Sequence, residues 1–455
     1  MDFLTYVKEH RTPIIKEVKS LCRIKSVFEA YDPQSDAPFG KGIQQALEHM
    51  LKLGEKDGFA TKNVQNHAGH IEYGEGEEIL GILAHLDVVP AEEGWTNPPF
   101  SPVVKDGKLY ARGAVDDKGP LIAAYFALKF LKELDVTFHR RVRLIMGTDE
   151  ETAWRGINTY FKHETMPDQG FSPDADFPLI HGEKGIYNFE FTGPFEDDAL
   201  SYFKAGKRHN IVPDVAECRL DIDLEKPFRD FLKHHGYKGS VKKGVYKVHG
   251  KSAHAMSPHL GVNAAFILAR FLSEHLDNRF IHFIKEQLCF DPYGEKLGIA
   301  TADDTMKHLT INPAVFSYDE NGASILSNIR YPKDFSLNAT AKRLSAAARR
   351  YGLSYEKKFQ LPLHYVDPKD PLVEGLLTSY RKITNDYETP PKTIGGGTYA
   401  RALDKGVAFG PVMPEREDLQ HQKDEHIYID DLIEATAIYM EAIYSLTRRN
   451  DEKKA

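Results

Sequence analysis

Two short, continuous apolar runs constrain the fold of this 455-residue sequence more than any other feature. They cover residues 79–84 and 142–147. Runs of this length and composition are typical of strands that are buried on both faces of a sheet. Between them, residues 119–134 begin with Gly-Pro and predict a helix. Strand, helix and strand in this order predict a βαβ unit and a sheet with helices on both sides.

The remaining chain falls into an α/β part and a part of different character. Helices are predicted over residues 3–21, 42–53, 264–276 and 339–351, from Asp370 onward, and over 430–446. After about residue 184 the apolar residues alternate, which predicts antiparallel strands at 187–191, 217–223, 245–248 and 324–331. We therefore predict an α/β domain with a mostly parallel sheet flanked by helices. A large α+β domain interrupts it.

Composition excludes several classes of protein. The 59 basic and 67 acidic residues give a net charge of −8, which offers no basic surface for nucleic acid. No apolar run reaches 18 residues, so no membrane span is expected. Cys22, Cys218 and Cys289 are dispersed and odd in number, which argues against disulfides and against a thiolate zinc site. The first residues lack a signal-peptide pattern, and a cytoplasmic location is expected.

The polar residues that follow the two apolar runs are the first functional candidates. His85 and Asp87 follow the first run, and Glu150 and Glu151 follow the second. Open α/β sheets bind ligands at the carboxyl ends of their strands. Taken alone, the histidine fits a structural role better, while the paired acids fit a structural and a functional role about equally.

Further candidates lie in loops. Asp116 and its neighbour Asp117 precede the predicted helix, where one of them serves as a helix cap in the simplest interpretation. Asp174 and His426 are individually unremarkable as loop and surface residues. Together with the strand-end residues, they give two histidines and several carboxylates without a thiolate. This composition favours a hydrolytic divalent-metal site such as one for Zn²⁺ or Mn²⁺.

Five sequence blocks carry a resemblance to a known family. In chain order they are GILAHLDVVP (81–90), LYARGAVDDKGP (109–120), IMGTDEETAW (145–154), GFSPDADFPLIHGEKG (170–185) and GGGTYAR (395–401). They resemble the M20 family of metallopeptidases, and within it the branch of PepV-type bacterial dipeptidases and carnosinase-like Xaa-His dipeptidases. KSAHAMSPHLGVNA (251–264) and SNIRYP (327–332) match less distinctly. The resemblance implies a catalytic domain in two parts, 1–184 and 367–455, and a lid domain, 185–366.

The resemblance also implies a ligand set for two metal ions per chain. Asp116 would bridge the ions. One ion would also be bound by His85 and Asp174, and the other by Glu151 and His426. Zn²⁺ is the expected metal, with Mn²⁺ or Co²⁺ as alternatives. Two adjacent metals can activate a water and polarise a carbonyl together.

Catalytic and substrate-binding roles follow from the same resemblance. Asp87 would orient His85, Glu150 would be the general base toward the attacking water, and His254 would donate to the oxyanion after the lid closes. The substrate would be held by residues of the inserted domain and of the glycine-rich loop, namely Asn210, Arg330, Gly396, Gly397, Thr398 and Arg401.

The expected function is hydrolysis of the peptide bond of unblocked dipeptides, either of Xaa-His type or more broadly. Two alternatives stay open at this point. One is an N-acyl amino-acid deacylase of similar architecture, and the other is a non-catalytic relative that binds ligands only. The large inserted domain favours a monomer over a dimer, because a lid of this size takes the place of a second subunit in the resembled branch.

Overall fold

The computed structural model describes residues 2–196, 199–417 and 419–448. The chain forms two compact units. Unit 1 consists of Met1–His181, Tyr365–Lys392 and Thr398–Ala455, and unit 2 consists of Gly182–His364 and Thr393–Gly397. The sequence-based division places 393–397 in the catalytic domain, whereas the structure groups it with unit 2. The reason is local bonding, since the Ile394 carbonyl accepts a hydrogen bond of 2.9 Å from the Lys184 N–H.

Unit 1 is built on a sheet whose central strands run parallel. The strands that lie wholly in unit 1 are, in spatial order, Ala60–Val64, Ala68–Tyr73, Arg141–Gly147, Ile79–His85, Gln169–Ser172 and Gly406–Ala408. The same sheet continues with Ile180–Glu183, His364–Tyr365 and Lys392–Ile394, the three strands in which the chain passes from one unit to the other. The pairs among the four strands from Arg141–Gly147 to Gly406–Ala408 are parallel. On either side of them, Ala68–Tyr73 is antiparallel to both of its neighbours, and Ile180–Glu183 is antiparallel to Gly406–Ala408. These strands and their helices confirm the predicted α/β class.

Helices and short strands complete unit 1. Its helices are Phe3–Glu9, Arg11–Cys22, Lys41–Lys56, Lys118–Glu133, Arg155–His163, Pro371–Thr384 and Ile429–Thr447, with a 3₁₀ turn at Tyr399–Ala402. Its short strands outside the main sheet are Val103–Lys105, Lys108–Tyr110, Ala175–Asp176, Pro411–Val412 and His426–Tyr428.

The predicted βαβ unit is confirmed. Strand Ile79–His85 is buried along its whole length, and it lies parallel to Arg141–Gly147. Most residues of the connecting helix Lys118–Glu133 are buried, because the helix packs against the sheet on one side and against other helices on the other. Its apolar residues belong to the same core cluster as those of the sheet and of these helices. A strand that is covered on both faces needs an unbroken apolar run, and this is why the sequence shows one.

The first helix differs from the sequence prediction. The structure has two helices, Phe3–Glu9 and Arg11–Cys22, which meet at His10, instead of one helix over 3–21. The break places Pro13 in the first turn of the second helix. Proline is tolerated there because it has no N–H to donate to the preceding turn. Among the described helices, none is long and apolar enough to cross a bilayer.

Unit 2 is an antiparallel sheet with helices, as the alternating sequence predicts. Its strands are, in spatial order, Lys238–Lys242, Val245–His249, Val215–Leu220, Leu200–Ala205, Thr310–Asp319, Gly322–Tyr331, Gly185–Gly193 and Ser354–Leu361. Its helices are Glu225–His235, Ala264–Leu272, Arg279–Phe283, which continues as a π turn over Ile284–Leu288, and Leu337–Arg349, with a 3₁₀ turn at Pro258–Leu260. A small hairpin joins Ala302–Asp303 to Lys307–His308. The apolar residues of the helices and strands form one core cluster within this unit.

Candidate metal centre

The carboxyl ends of the parallel strands bring the predicted strand-end residues together. His85 is the last residue of its strand, and it lies opposite Gly147 in the parallel register. Gly147 in turn stands three residues before Glu150 in the sequence. Asp174 follows the next parallel strand by two residues. Since parallel strands end at one edge of the sheet, the sheet itself delivers these side chains to one place.

Asp116 connects two groups of ligand-type atoms. Its Oδ1 lies 3.0 Å from Nε2 of His85, and its Oδ2 lies 3.1 Å from Nε2 of His421. Asp174 completes the first group, with its Oδ2 3.6 Å from the His85 Nε2. Glu151 completes the second, with an oxygen 3.0 Å from the His421 Nε2. Each group has its ligand atoms within 4.8 Å of one another. One carboxylate facing two imidazoles is the arrangement that a bridging metal ligand requires.

The second imidazole is His421, and the prediction of His426 at this place is corrected. Among the described residues, His426 belongs to none of the groups that could hold a metal. It begins the short strand His426–Tyr428, where it pairs with Tyr110. Its Nδ1 lies 2.9 Å from the Asp424 carbonyl oxygen, and its ring packs at a tilt against that of Tyr110, with 4.8 Å between the ring centroids. Strand pairing therefore turns His426 to other contacts, while the preceding loop carries His421 to Asp116.

Asp87, predicted to orient His85, contacts its ring through the backbone as well as the carboxylate. Its backbone carbonyl accepts a hydrogen bond of 2.9 Å from Nδ1 of His85, while its carboxylate oxygen lies 3.6 Å from that nitrogen. The carboxylate also accepts the N–H groups of Glu150 and Glu151, at 3.1 and 3.0 Å. Protonation of Nδ1 leaves the lone pair of a neutral His85 on Nε2, which faces Asp116 and is free to bind a metal.

The cluster carries more carboxylates than imidazoles in a buried place. Burial raises the pKa of Glu150 to about 8 and that of Asp174 well above its usual value. Hydrogen bonds to Asp116 and Glu151 raise the pKa of His421 to about 10. The pKa of Asp116 is lowered, because its bonds to His421 and His85 outweigh its own burial. A surplus of buried negative charge is costly unless cations offset it, so the donor set fits two divalent ions.

A buried ion pair that the sequence analysis missed positions the loop before Asp116. Glu425 is fully buried, and one of its oxygens accepts a bond of 2.7 Å from Nη1 of Arg112. The same carboxylate accepts the N–H groups of Gly113 at 3.1 Å and Val115 at 2.9 Å. In the sequence, Glu425 stands among charged residues of an apparent surface loop, and no local pattern marks it as buried.

The predicted substrate-binding residues of unit 2 form a connected group. The loop segments that carry Asn210 and His254 lie side by side, joined by an isolated bridge between Ile211 and His254 and by a 2.9 Å hydrogen bond from the Ala255 N–H to the Asn210 carbonyl. Nδ1 of His254 accepts the N–H of Met256 at 3.2 Å, which leaves a hydrogen on Nε2 of the neutral ring. Burial, followed by the charge of Arg330, lowers the pKa of His254 and favours that neutral form.

Arg330 and the glycine-rich loop are joined within unit 2. Arg330 is buried, and it donates from Nε to Asn328 at 2.8 Å and from Nη1 to the Gly395 carbonyl at 3.2 Å. Gly396 and Gly397 follow directly in this loop. Two predicted residues, Thr398 and Arg401, lie in unit 1, where the Thr398 hydroxyl caps the 3₁₀ turn by accepting the N–H of Ala400.

Comparisons with known proteins identify the family of this chain. The profile of peptidase family M20/M25/M40 matches residues 81–445. A Staphylococcus aureus protein (strain bovine RF122 / ET3-1), whose name marks it provisionally as a dipeptidase, is 44% identical over 461 residues, covering 97% of this chain and 98% of the relative. The predicted family membership is confirmed by both findings.

Solved structures show the same fold at low sequence identity. Human carnosine dipeptidase 1 aligns with a TM-score of 0.59 and 15% identity, over 98% of each chain. Aminoacylhistidine dipeptidase from Vibrio alginolyticus aligns with a TM-score of 0.58 and 14% identity, over 96% of this chain and 97% of that one. The chain thus belongs to peptidase family M20/M25/M40 and is a hydrolase that acts on peptide bonds.

Proposed function

We propose that this protein hydrolyses unblocked dipeptides with the help of two divalent metal ions. The observation that carries the proposal is the Asp116 carboxylate, whose two oxygens face the imidazoles of His85 and His421 at 3.0 and 3.1 Å. His85 and Asp174 would hold one ion with Asp116, and Glu151 and His421 would hold the other. Two bound ions would supply Lewis acidity, which polarises the scissile carbonyl and lowers the pKa of water.

Glu150 is proposed to act as the general base, which transfers a proton from the attacking water to the leaving amine. It follows the same strand as Glu151, and burial raises its pKa to about 8. Bound cations would lower this pKa toward neutrality, since a nearby positive charge favours the carboxylate. A carboxylate that titrates near neutral pH can accept a proton from water and return it to the leaving amine. The Asp87 carboxylate holds the Glu150 N–H and so fixes the position of this base.

Unit 2 is proposed to supply groups that recognise the substrate. His254 would donate from Nε2 to the developing oxyanion, and the hydrogen bond from Met256 to its Nδ1 supports this tautomer. Arg330 would bind the substrate carboxylate together with the loop at Gly396, Gly397, Thr398 and Arg401, and Asn210 would line the same site. The named activities of the relatives support a preference for Xaa-His dipeptides, with broader dipeptide cleavage as the second possibility.

A substrate panel tests the proposed function. The protein is stripped of metal with a chelator, reloaded with Zn²⁺, Mn²⁺ or Co²⁺, and assayed on free dipeptides, tripeptides and N-acyl amino acids. We expect cleavage of dipeptides only, with two ions per chain in the active form. Full activity without bound metal would contradict the metal centre, and comparable kcat/KM on N-acetylated and free dipeptides would favour the deacylase alternative.

We further propose that the protein acts as a cytoplasmic monomer.

A further inference from the structure

A buried asparagine that the sequence analysis did not single out lies beside Arg330 in unit 2. Asn328 stands two residues before Arg330 on strand Gly322–Tyr331, so both side chains lie on one face of the sheet. Asn328 is 0% exposed and Arg330 is 5% exposed. The strand is hydrogen-bonded on both sides, to Thr310–Asp319 and to Gly185–Gly193. Asn328 therefore has a fixed position beside a buried guanidinium.

The roles of donors and acceptors determine which way the Asn328 amide points. Arginine has only donors, so the 2.8 Å bond from Nε of Arg330 must be accepted by Oδ1 of Asn328. The amide nitrogen then faces the other way, and it donates to Oδ1 of Asn188 at 2.5 Å. Asn188 lies opposite Asn328 in the antiparallel register of the two strands. The three side chains thus form one chain of hydrogen bonds that begins at the guanidinium.

The glycine-rich loop holds the guanidinium at a second point. Nη1 of Arg330 donates to the Gly395 carbonyl at 3.2 Å. Gly395 also packs closely against Met256, since a Cβ atom at this glycine would lie 2.8 Å from the Met256 Cβ. Bonds at both Nε and Nη1 restrict the rotation of the planar group. The two accepting oxygens are uncharged, so they orient the guanidinium without cancelling its charge.

We infer that Asn328 is a positioning residue that fixes the orientation in which Arg330 binds the substrate carboxylate, and that it thereby makes the protein selective for dipeptides with a free C-terminus. This inference rests on the proposed function, in which Arg330 binds that carboxylate. A guanidinium that is oriented in advance loses less freedom when it binds an anion. An aspartate at position 328 would hold Arg330 as well, but it would compete with the substrate for the positive charge.

The experiment compares two substrates that differ only in the group that Arg330 would bind, L-leucyl-L-leucine and L-leucyl-L-leucinamide. Both have a free amine and the same scissile bond, so the ratio of their kcat/KM values reports recognition of the carboxylate. We expect the wild type to favour the free acid by at least about tenfold, because a charge-assisted hydrogen bond is stronger than a neutral one. Asn328→Asp should lower this ratio about tenfold or more, through KM of the free acid rather than kcat.

Two variants of Asn328 distinguish charge from orientation. Asn328→Asp is expected to fold, because Asn188 can turn its amide and donate to the new carboxylate. Asn328→Leu, of similar size, only removes the bond to Arg330, so it should lower the acid-to-amide ratio by less than Asn328→Asp does. In an Arg330→Met background, Asn328→Asp should change the ratio no further, since its effect passes through Arg330.

Asn312→Leu is the matched control. Asn312 is 1% exposed and lies opposite Asn328 on the other neighbouring strand. Its amide has no hydrogen-bond partner among the described residues, so its loss removes no bond to Arg330. The acid-to-amide ratio of this variant should equal that of the wild type.

Three outcomes would overturn the inference. If both Asn328 variants keep the wild-type ratio while the wild type cleaves dipeptides, the positioning role is refuted and the proposed function stands. An equal fall of the ratio in Asn312→Leu would show that any change in this part of the sheet has the same effect. Failure of the metal-loaded wild type to cleave either substrate would refute the proposed function and the positioning role together.

Discussion

Glu425→Gln is the change that tests best how the metal centre is assembled. The substitution keeps the size of the side chain and removes one charge. In the structure Glu425 is fully buried, and it binds Arg112 at 2.7 Å and the N–H groups of Gly113 and Val115. Burial raises the pKa of Glu425 to about 7, so the assays are run at pH 8, where the wild-type carboxylate is ionised.

The expected loss of stability in Glu425→Gln follows from the buried groups that the substitution leaves without a hydrogen-bond partner. A glutamine amide can turn its oxygen toward Arg112 or toward the backbone N–H groups, but not toward both. If its NH₂ faces Arg112, whose side chain is only 2% exposed, a buried guanidinium loses its counter-charge. Removing one partner of such a pair costs about 3–5 kcal/mol. The loop that ends at Asp116 then loses the hydrogen bonds that hold it in place. We therefore also expect metal affinity to fall about 10–100-fold, which is the usual effect of removing a residue that hydrogen-bonds to a metal ligand.

Two measurements check this prediction, namely the urea midpoint of the metal-free protein and the affinity for Zn²⁺ by competition with a chelator. Glu417→Gln serves as the matched control, because Glu417 lies in the same segment and is exposed. A large loss of stability with unchanged metal affinity would refute the positioning role. An unchanged urea midpoint would refute the energetic argument itself.

Three further predictions concern other residues. His421→Ala should lose one of two bound ions, whereas His426→Ala should keep both; metal analysis that shows the reverse would restore the original assignment. Glu150→Gln should keep both ions while kcat falls by at least ~10²-fold, and Glu151→Gln should lose an ion; equal ion loss in both would contradict the separate roles. Burial lowers the pKa of His70 to about 4, so the unfolded chain binds the proton more strongly. The wild type should therefore lose about 2 kcal/mol between pH 7 and pH 5, a loss that His70→Gln should lack in urea titrations at both pH values.

The sequence predicted those parts of the fold whose burial leaves a direct trace in residue pattern. A strand covered on both faces needs an unbroken apolar run, so residues 79–84 and 142–147 identified the centre of the sheet. The positions of His85 and Glu151 at one edge followed, because the carboxyl ends of parallel strands coincide. The alternating strands of unit 2 were equally predictable from the sequence, since one face of each strand is packed and the other is more exposed to solvent.

The choice between two histidines lay beyond such reasoning. His421 and His426 are five residues apart in a polar segment, and neither sits in a periodic pattern. Which of the two faces Asp116 is determined by the pairing of His426–Tyr428 with Lys108–Tyr110, a contact between residues more than 300 positions apart in sequence. The same is true of Glu425, whose burial depends on where a distant loop lies. A single sequence carries no local signal for contacts of this kind.

The ends of the parallel strands position only part of the proposed ligand set, and one buried ion pair, between Arg112 and Glu425, positions the rest. Asp116 and His421 lie in loops, yet both are tied to it: the Asp116 N–H lies 3.3 Å from an oxygen of Glu425, and Nη2 of Arg112 lies 3.4 Å from the His421 carbonyl. These two proposed ligands face each other across 3.1 Å, and both belong to the second group of side chains that could hold a metal. Because Asp116 also faces His85, a displaced loop would disturb both groups at once. Loss of the ion pair should therefore weaken the binding of both ions, whereas loss of His421 alone should weaken the binding of one.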